Sequence, residues 1–420
     1  MSITRRVFLR NGALALVGTS ALPAFLSRAV MASETIPGSF KNKRLVVIFQ
    51  RGAADGLNIV VPHAESSYYA MRPSINIPRK AVLDLDGFFG LHPSMESLLP
   101  LWKEKHLAIV HAAGSTDTTR SHFDAQDYME SGTPGRKATE DGWLNRALVS
   151  LPQPTDVAGT PTAFRAIAMG PTLPRILSGS EPAVAVNHIN DFGIGGRNPK
   201  ATPAANTFEA MYEHSVDTVL HGAGQETFDA VKMLKSADPS KYKPAPGANY
   251  PQGRFGESLQ QLAQLIKSNL GVQVAFADIG GWDHHVNEGS TQGQLANILR
   301  EFSESLFAFW MDLGSLAEET VVVTMSEFGR TARENGNRGT DHGHANAMFV
   351  MGGPVRGGRV YGRWPGLDAS QLYEGRDLAV TTDFRRVLSE AVSQHLGNHK
   401  LETVFPGFEN RPNDFLNFLG

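Results

Sequence analysis

The chain is constrained most by a handful of short apolar runs, four of which stop abruptly in a polar turn. The runs are 44–50 (RLVVIFQ), 107–112, 272–279 (VQVAFADI), 320–324 (TVVVT) and 347–351. Each is apolar and too short for a typical globular helix, and 320–324 is β-branched throughout, so each reads as a fully buried strand. Between them lie stretches with apolar residues at helical spacing: 255–267, and 292–313 with positions 295, 298, 299, 302, 306, 309, 310 and 313. Buried strands alternating with amphipathic helices predict an α/β fold, a doubly wound and mostly parallel central sheet with helices on both faces.

In such a sheet ligands bind outside the carboxyl ends of the strands. The polar clusters fall there. After 44–50 comes Arg51-Gly52-Ala53-Ala54-Asp55-Gly56-Leu57-Asn58, where Asp55 is a candidate metal ligand or simply part of an Asp-Gly turn. After 107–112 come Thr119, Arg120, Ser121, His122 and Asp124, at the start of a predicted helix. A helix start attracts anions, and Thr119 or Ser121 is a candidate nucleophile. Ser121 followed by Asp124 also has the form of a helix N-cap. After 272–279 comes Gly280-Gly281-Trp282-Asp283-His284-His285, an acid and two imidazoles on a rigid platform, the sharpest metal-ligand signal in the chain. The loop after 320–324 carries Glu327, Arg330, Asp341, His342 and His344. There are no cysteines, so histidines and carboxylates are the ligands a metal would find. Neither GxGxxG nor GKS/T follows the first strand, which argues against a nucleotide loop.

Composition narrows the function classes. With 420 residues, 41% hydrophobic, the chain can bury a large core, and a net charge of -3 with no long basic run gives no footprint for nucleic acid. The N-terminus reads as an address. Thr4-Arg5-Arg6-Val7-Phe8-Leu9-Arg10 precedes a modest apolar segment, 12–26, and small residues at 30–32. This predicts a cleaved twin-arginine export signal over 1–32, a mature protein starting near Ser33, the twin-arginine translocase as a transient partner, and a periplasmic or extracellular location. The apolar part is too short for a permanent membrane span. The mature chain, 33–420, is expected to be a single α/β domain. Its proline-punctuated stretch 151–253 reads as a loop and helical insertion, a candidate lid, with helical spacing at 208–220 and 228–234. His188, His214 and His221 in that stretch read as packing or surface residues.

Taken together, the export signal, RGAADGLN (51–58), TRSHFDAQDYMESG (119–132), GGWDHH (280–285), TMSEFGRT (324–331) and GTDHGHANAMFVMGGPVRGG (339–358) resemble the DUF1501 family of exported proteins over nearly the whole chain. That family is similar to a branch of the alkaline phosphatase and sulfatase superfamily, whose members hydrolyse phosphate or sulfate esters with two metals, often zinc. The resemblance implies an alkaline phosphatase-like sheet and an ester substrate, small or polymeric. It implies Asp55 as a ligand of one metal, Asp283 and His285 as ligands of the other, Glu327 as a substitute acid, and His342 or His344 as the late histidine. Ser121 lies where the superfamily has its nucleophile, with His122 beside it. The superfamily more often has Asp-His where this chain has Glu327-Phe328, so an imidazole is missing. That departure leaves room for a single metal: zinc first, manganese or calcium as oxygen-liganded alternatives. The expected mechanism has the metal activating Ser121 or a water, with Arg120 or Arg330 neutralising the oxyanion. The competing expectation is an exported binding or surface-assembly protein on the same fold, its chemistry lost.

Overall fold

The computed structural model describes residues 43–137, 139–154, 162, 164–189 and 242–420, and the backbone of a separate antiparallel ribbon formed by Arg6–Arg10 and Ala13–Val17. Its centre is a nine-stranded sheet. In chain order the strands are β1 (Arg44–Arg51), β2 (Leu107–Gly114), β3 (Ala166–Met169), β4 (Val184–Val186), β5 (Val274–Gly280), β6 (Thr320–Met325), β7 (Asn346–Gly352), β8 (Arg359–Tyr361) and β9 (Thr382–Asp383). Across the sheet the order is β8-β2-β7-β6-β1-β5-β3-β4, with β9 also paired to β2.

β1 shows why these residues make a central strand. Leu45, Val47 and Phe49 point into one apolar layer, and Val46 and Ile48 into the other, so the run must be apolar throughout. Each such side chain contributes about 1.5–3 kcal/mol when fully buried. One layer is closed by α3 (Arg254–Lys267) and α4 (Gln294–Leu313), whose Leu259, Leu262, Leu299, Phe302 and Phe309 face the sheet. α2 (Trp143–Val149) and α5 (Phe384–Glu390) close the other through Trp143, Leu144, Phe384 and Leu388. The doubly wound, mostly parallel α/β sheet is the architecture found.

One strand runs against the rest. β7 is antiparallel to both β6 and β2, whereas β1 pairs in parallel with β5 and β6. The start of β7 therefore lies at the same edge of the sheet as the ends of β1, β2, β5 and β6. Loops leaving four parallel strands meet the loop entering the antiparallel one. The proline-rich stretch 151–253 supplies β3 and β4, which extend the sheet beyond β5. The helices expected at 208–220 and 228–234, with His214 and His221, lie outside the described residues.

Candidate metal centre

The site is built where those loops meet. The turn after β5 is pinned by Trp282, buried, with its indole N–H donating to the Ile279 carbonyl at 3.0 Å. This presents Asp283 and His285. The turn after β1 lies so close that a Cβ on Gly52, at φ +118°, would stand 2.9 Å from the Asp283 nitrogen. Only glycine fits both the conformation and the contact. From the other side, His122 opens α1 (His122–Ser131), and His342 arrives on the loop entering β7.

Four side chains converge. His342 Nε2 stands 3.0 Å from His122 Nε2 and 3.0 Å from His285 Nε2. Asp283 Oδ1 stands 3.0 Å from His285 Nε2, 3.2 Å from His342 Nε2 and 3.5 Å from His122 Nε2. His122, Asp283 and His342 each offer an atom within 4.8 Å of the others. Every one of these imidazoles has its other nitrogen committed. His122 Nδ1 meets Glu327 Oε1 at 2.8 Å, His342 Nδ1 meets the Arg120 carbonyl at 2.8 Å, and His285 Nδ1 meets Asp341 Oδ1 at 3.3 Å. Those oxygens only accept, so each Nδ1 carries a proton, and in the neutral ring each Nε2 points its lone pair inward. Lone pairs facing one another and a carboxylate repel unless a proton or cation lies among them. The Arg330 guanidinium already meets Asp283 Oδ1 and, at 3.5 Å, His285 Nε2, and leaves the His122 and His342 Nε2 atoms to be satisfied. Imidazoles oriented through Nδ1, with Nε2 free, are the usual arrangement around a metal. Nitrogen and carboxylate donors without sulfur suit zinc and similar divalent ions.

The charges follow from the packing. Burial would raise the Asp283 pKa, but the Arg330 guanidinium bonded to it prevails and holds the carboxyl at about 2. The hydrogen bond that His122 donates to Glu327 raises the His122 pKa against the opposing effect of burial. Burial lowers that of His342. Glu327 is itself kept ionised against burial, since its Oε1 accepts from His122, Gln126 Nε2 and the Gly52 N–H. Phe328 packs beneath the imidazoles, its ring 4.9 Å from His122 and 5.0 Å from His342.

The remaining candidates take other places. Asp55 is buried with both carboxylate oxygens on the Arg72 guanidinium, one at 2.9 Å, and is not brought to the imidazoles. Glu327 touches them only through His122 Nδ1, as their support. His344 is buried and stacked on Tyr373 at 4.6 Å, apart from the convergent group. Arg330, its side chain 0% exposed, donates to the carbonyls of Gly52, Ala53, Trp282 and Thr340 besides Asp283, and so straps the loops together. Arg120 donates to Glu374 and Asp377. Ser121 caps α1, its hydroxyl oxygen accepting from the Asp124 N–H at 3.5 Å. Sequence reasoning assigned His122 to a nucleophile's neighbourhood and left out Gln126 and Arg72. Arg72 carried no local signal, because its partner Asp55 is reached only through the fold.

Fold and site thus define an α/β protein with a candidate metal centre at the carboxyl edge of its sheet. The chain belongs to the family described as "Protein of unknown function (DUF1501)", whose model matches residues 42–402. No curated protein matches it in sequence. Among solved structures, it is similar to the lipoteichoic acid synthase LtaP from Listeria monocytogenes at 10% identity and TM-score 0.32, covering 78% of this chain and 71% of that one. It is similar to the PsFucS1 sulfatase from Pseudoalteromonas sp. at 12% and 0.34, covering 77% and 64%. The phosphonate monoester hydrolase of Agrobacterium radiobacter stands at 9% and 0.29, covering 87% and 78%. Likenesses this faint say nothing of activity.

Proposed function

We propose that the protein is an exported metal-dependent hydrolase of phosphate or sulfate esters. The observation that carries this reading is the convergence of the His122, His285 and His342 Nε2 atoms on Asp283 Oδ1, each ring held through Nδ1. The reaction class comes from the resemblance of the sequence motifs to the alkaline phosphatase and sulfatase superfamily. His122, Asp283 and His342 would hold a divalent ion, zinc by donor type, with His285 alongside. Such an ion, when bound, lowers the pKa of an oxygen nucleophile and withdraws charge from the ester. The chain's own part is to keep Asp283 ionised through Arg330 and to aim His122 through Glu327. Ser121, next to His122, is the side-chain candidate for nucleophile, and water is the other. Export rests on Arg5-Arg6 and the segment behind them. Among the described residues no helix is long and apolar enough to cross a membrane.

One observation favours a second reading, a metal-binding protein without catalysis. Arg120 and Arg330, the arginines expected to meet an oxyanion, are both committed to acids or carbonyls. The test is elemental analysis of the protein purified from the exported fraction, beside hydrolysis of p-nitrophenyl phosphate and p-nitrophenyl sulfate. A bound divalent ion and hydrolysis, both lost in Asp283→Ala, support the hydrolase. Metal without hydrolysis of any ester supports the second reading, and hydrolysis surviving in Asp283→Ala overturns the centre assigned here.

A further inference from the structure

Beside the metal centre, at the same edge of the sheet, lies an open cavity of about 360 Å³ walled by the ends of β3 and β5, by α1 and by the turn at 170–175. That volume is at the low end of small-molecule sites. Gln126 belongs to both places: it lines the cavity, and its side-chain N–H donates to Glu327, the acid that holds His122. A ligand in the cavity is therefore two side chains, Gln126 and Glu327, away from the metal-ligating His122.

We propose that this cavity binds the sugar portion of the substrate, so that the ester hydrolysed at the metal centre is carried by a carbohydrate. The proposal rests on the hydrolase reading given above. The charges in the wall argue for it. Arg51, Arg175 and Arg254 face Asp127, Glu130 and Asp278, cation balanced by anion. Arg51 donates to Asp278 at 2.7 Å, Gln126 at 2.9 Å and Glu130 at 2.8 Å, and Arg175 pairs with Asp127. A polyanion would meet carboxylates here, and an apolar ligand would strip water from the partly exposed Arg51, Asp127, Arg175, Arg254 and Asp278 without replacing it. A polyhydroxylated ring can donate to the acids and accept from the arginines at once, because a hydroxyl does both. Arg254 is the wall's loosest group, 70% exposed at its side chain and 3.9 Å from Asp278, so it is free to turn onto a ligand.

An apolar contact completes the set. Phe123, directly after His122, is 84% exposed, an unusual position for a phenylalanine, and it stands at this cavity. Exposed rings give the C–H face of a sugar a flat apolar partner, while the polar wall takes its hydroxyls. Among the described residues Phe123 is the most exposed of the large hydrophobic side chains.

The experiment is saturation-transfer NMR on the metal-loaded, full-length mature protein. The probes are the methyl glycosides of glucose, galactose and fucose, with cyclohexanol as an apolar control. Transfer to at least one glycoside and not to cyclohexanol is expected, weakened roughly tenfold in apparent affinity by Phe123→Ala and by Arg254→Ala. Bound metal should be unchanged in both variants, which are surface replacements. No transfer to any glycoside, or transfer that neither variant weakens, would overturn the proposal. Binding is read without turnover, so the two readings fail separately: glycoside binding with no ester hydrolysis removes only the hydrolase, and hydrolysis with no glycoside binding removes only the sugar site.

Discussion

His122 Nε2 and His342 Nε2 stand 3.0 Å apart although each ring already uses its Nδ1–H to donate to an oxygen. Without a metal, that approach requires a proton on one of the two. His122 is the ring to carry it, since the Glu327 hydrogen bond raises its pKa above the usual 6.5, while burial lowers that of His342. A metal at Nε2 must displace that proton. The sign follows: protons win at low pH, and affinity rises as pH climbs through 6.5 and past the raised pKa of His122. Zinc titrations monitored by calorimetry at pH 6, 7 and 8 should show this rise, with proton release on binding. Affinity that is flat over the range would mean that His122 is no ligand.

Glu327 is the support whose loss should show most cleanly. Glu327→Gln keeps the shape but takes the negative charge from the His122 Nδ1 hydrogen bond. Outer partners of this kind are worth about 10–100-fold in metal affinity. We expect a loss in that range with the fold intact by circular dichroism. An unchanged affinity would assign Glu327 to packing the loops rather than to tuning the centre.

Asp55 makes the opposite prediction. Its carboxylate is already neutralised by the buried Arg72 guanidinium and so is not open to a second cation. The centre should therefore hold one ion per chain. Asp55→Ala should leave that ion in place yet cost about 3–5 kcal/mol in urea unfolding, because it strands a buried charge. Elemental analysis showing two ions in the parent protein, and one in Asp55→Ala, would refute this.

Much of this was legible in the chain, and the limits have physical causes. The strands of the sheet's centre announced themselves because burial on both faces demands unbroken apolar runs, as in 44–50. The Asp283–His285 turn was visible because it follows one of them. The antiparallel direction of β7 was not visible, since a buried strand reads alike in either direction. That direction is what carries His342 to the other imidazoles. Asp55 and Arg330 misled for a related reason. An acid or arginine at a strand end looks the same in sequence whether it faces a ligand or a distant partner, and only the fold supplied Arg72 to one and four loop carbonyls to the other.

His111 gives a pH test of stability apart from the site. It lies within β2, buried, with Nε2–H donating to the Val60 carbonyl at 3.0 Å and Nδ1 accepting from the Ala112 N–H at 2.8 Å. Both nitrogens are used by the neutral ring, and burial pushes the pKa down to about 4. A folded pKa below the unfolded value of 6.5 means that the unfolded chain takes up the proton first. The contribution is thus fully present above pH 6.5 and is lost progressively as pH falls toward 4. From pH 7 to 5 the loss from this residue should be on the order of 2 kcal/mol. Urea unfolding in the presence of a chelator, which removes any metal contribution, should show the parent protein weakening over that range. His111→Gln, which keeps a donor for Val60 but cannot titrate, should weaken less by about that amount. Equal pH dependence in the two proteins would place the acid sensitivity elsewhere, with buried His395, also held at about 4 by burial, the next residue to replace.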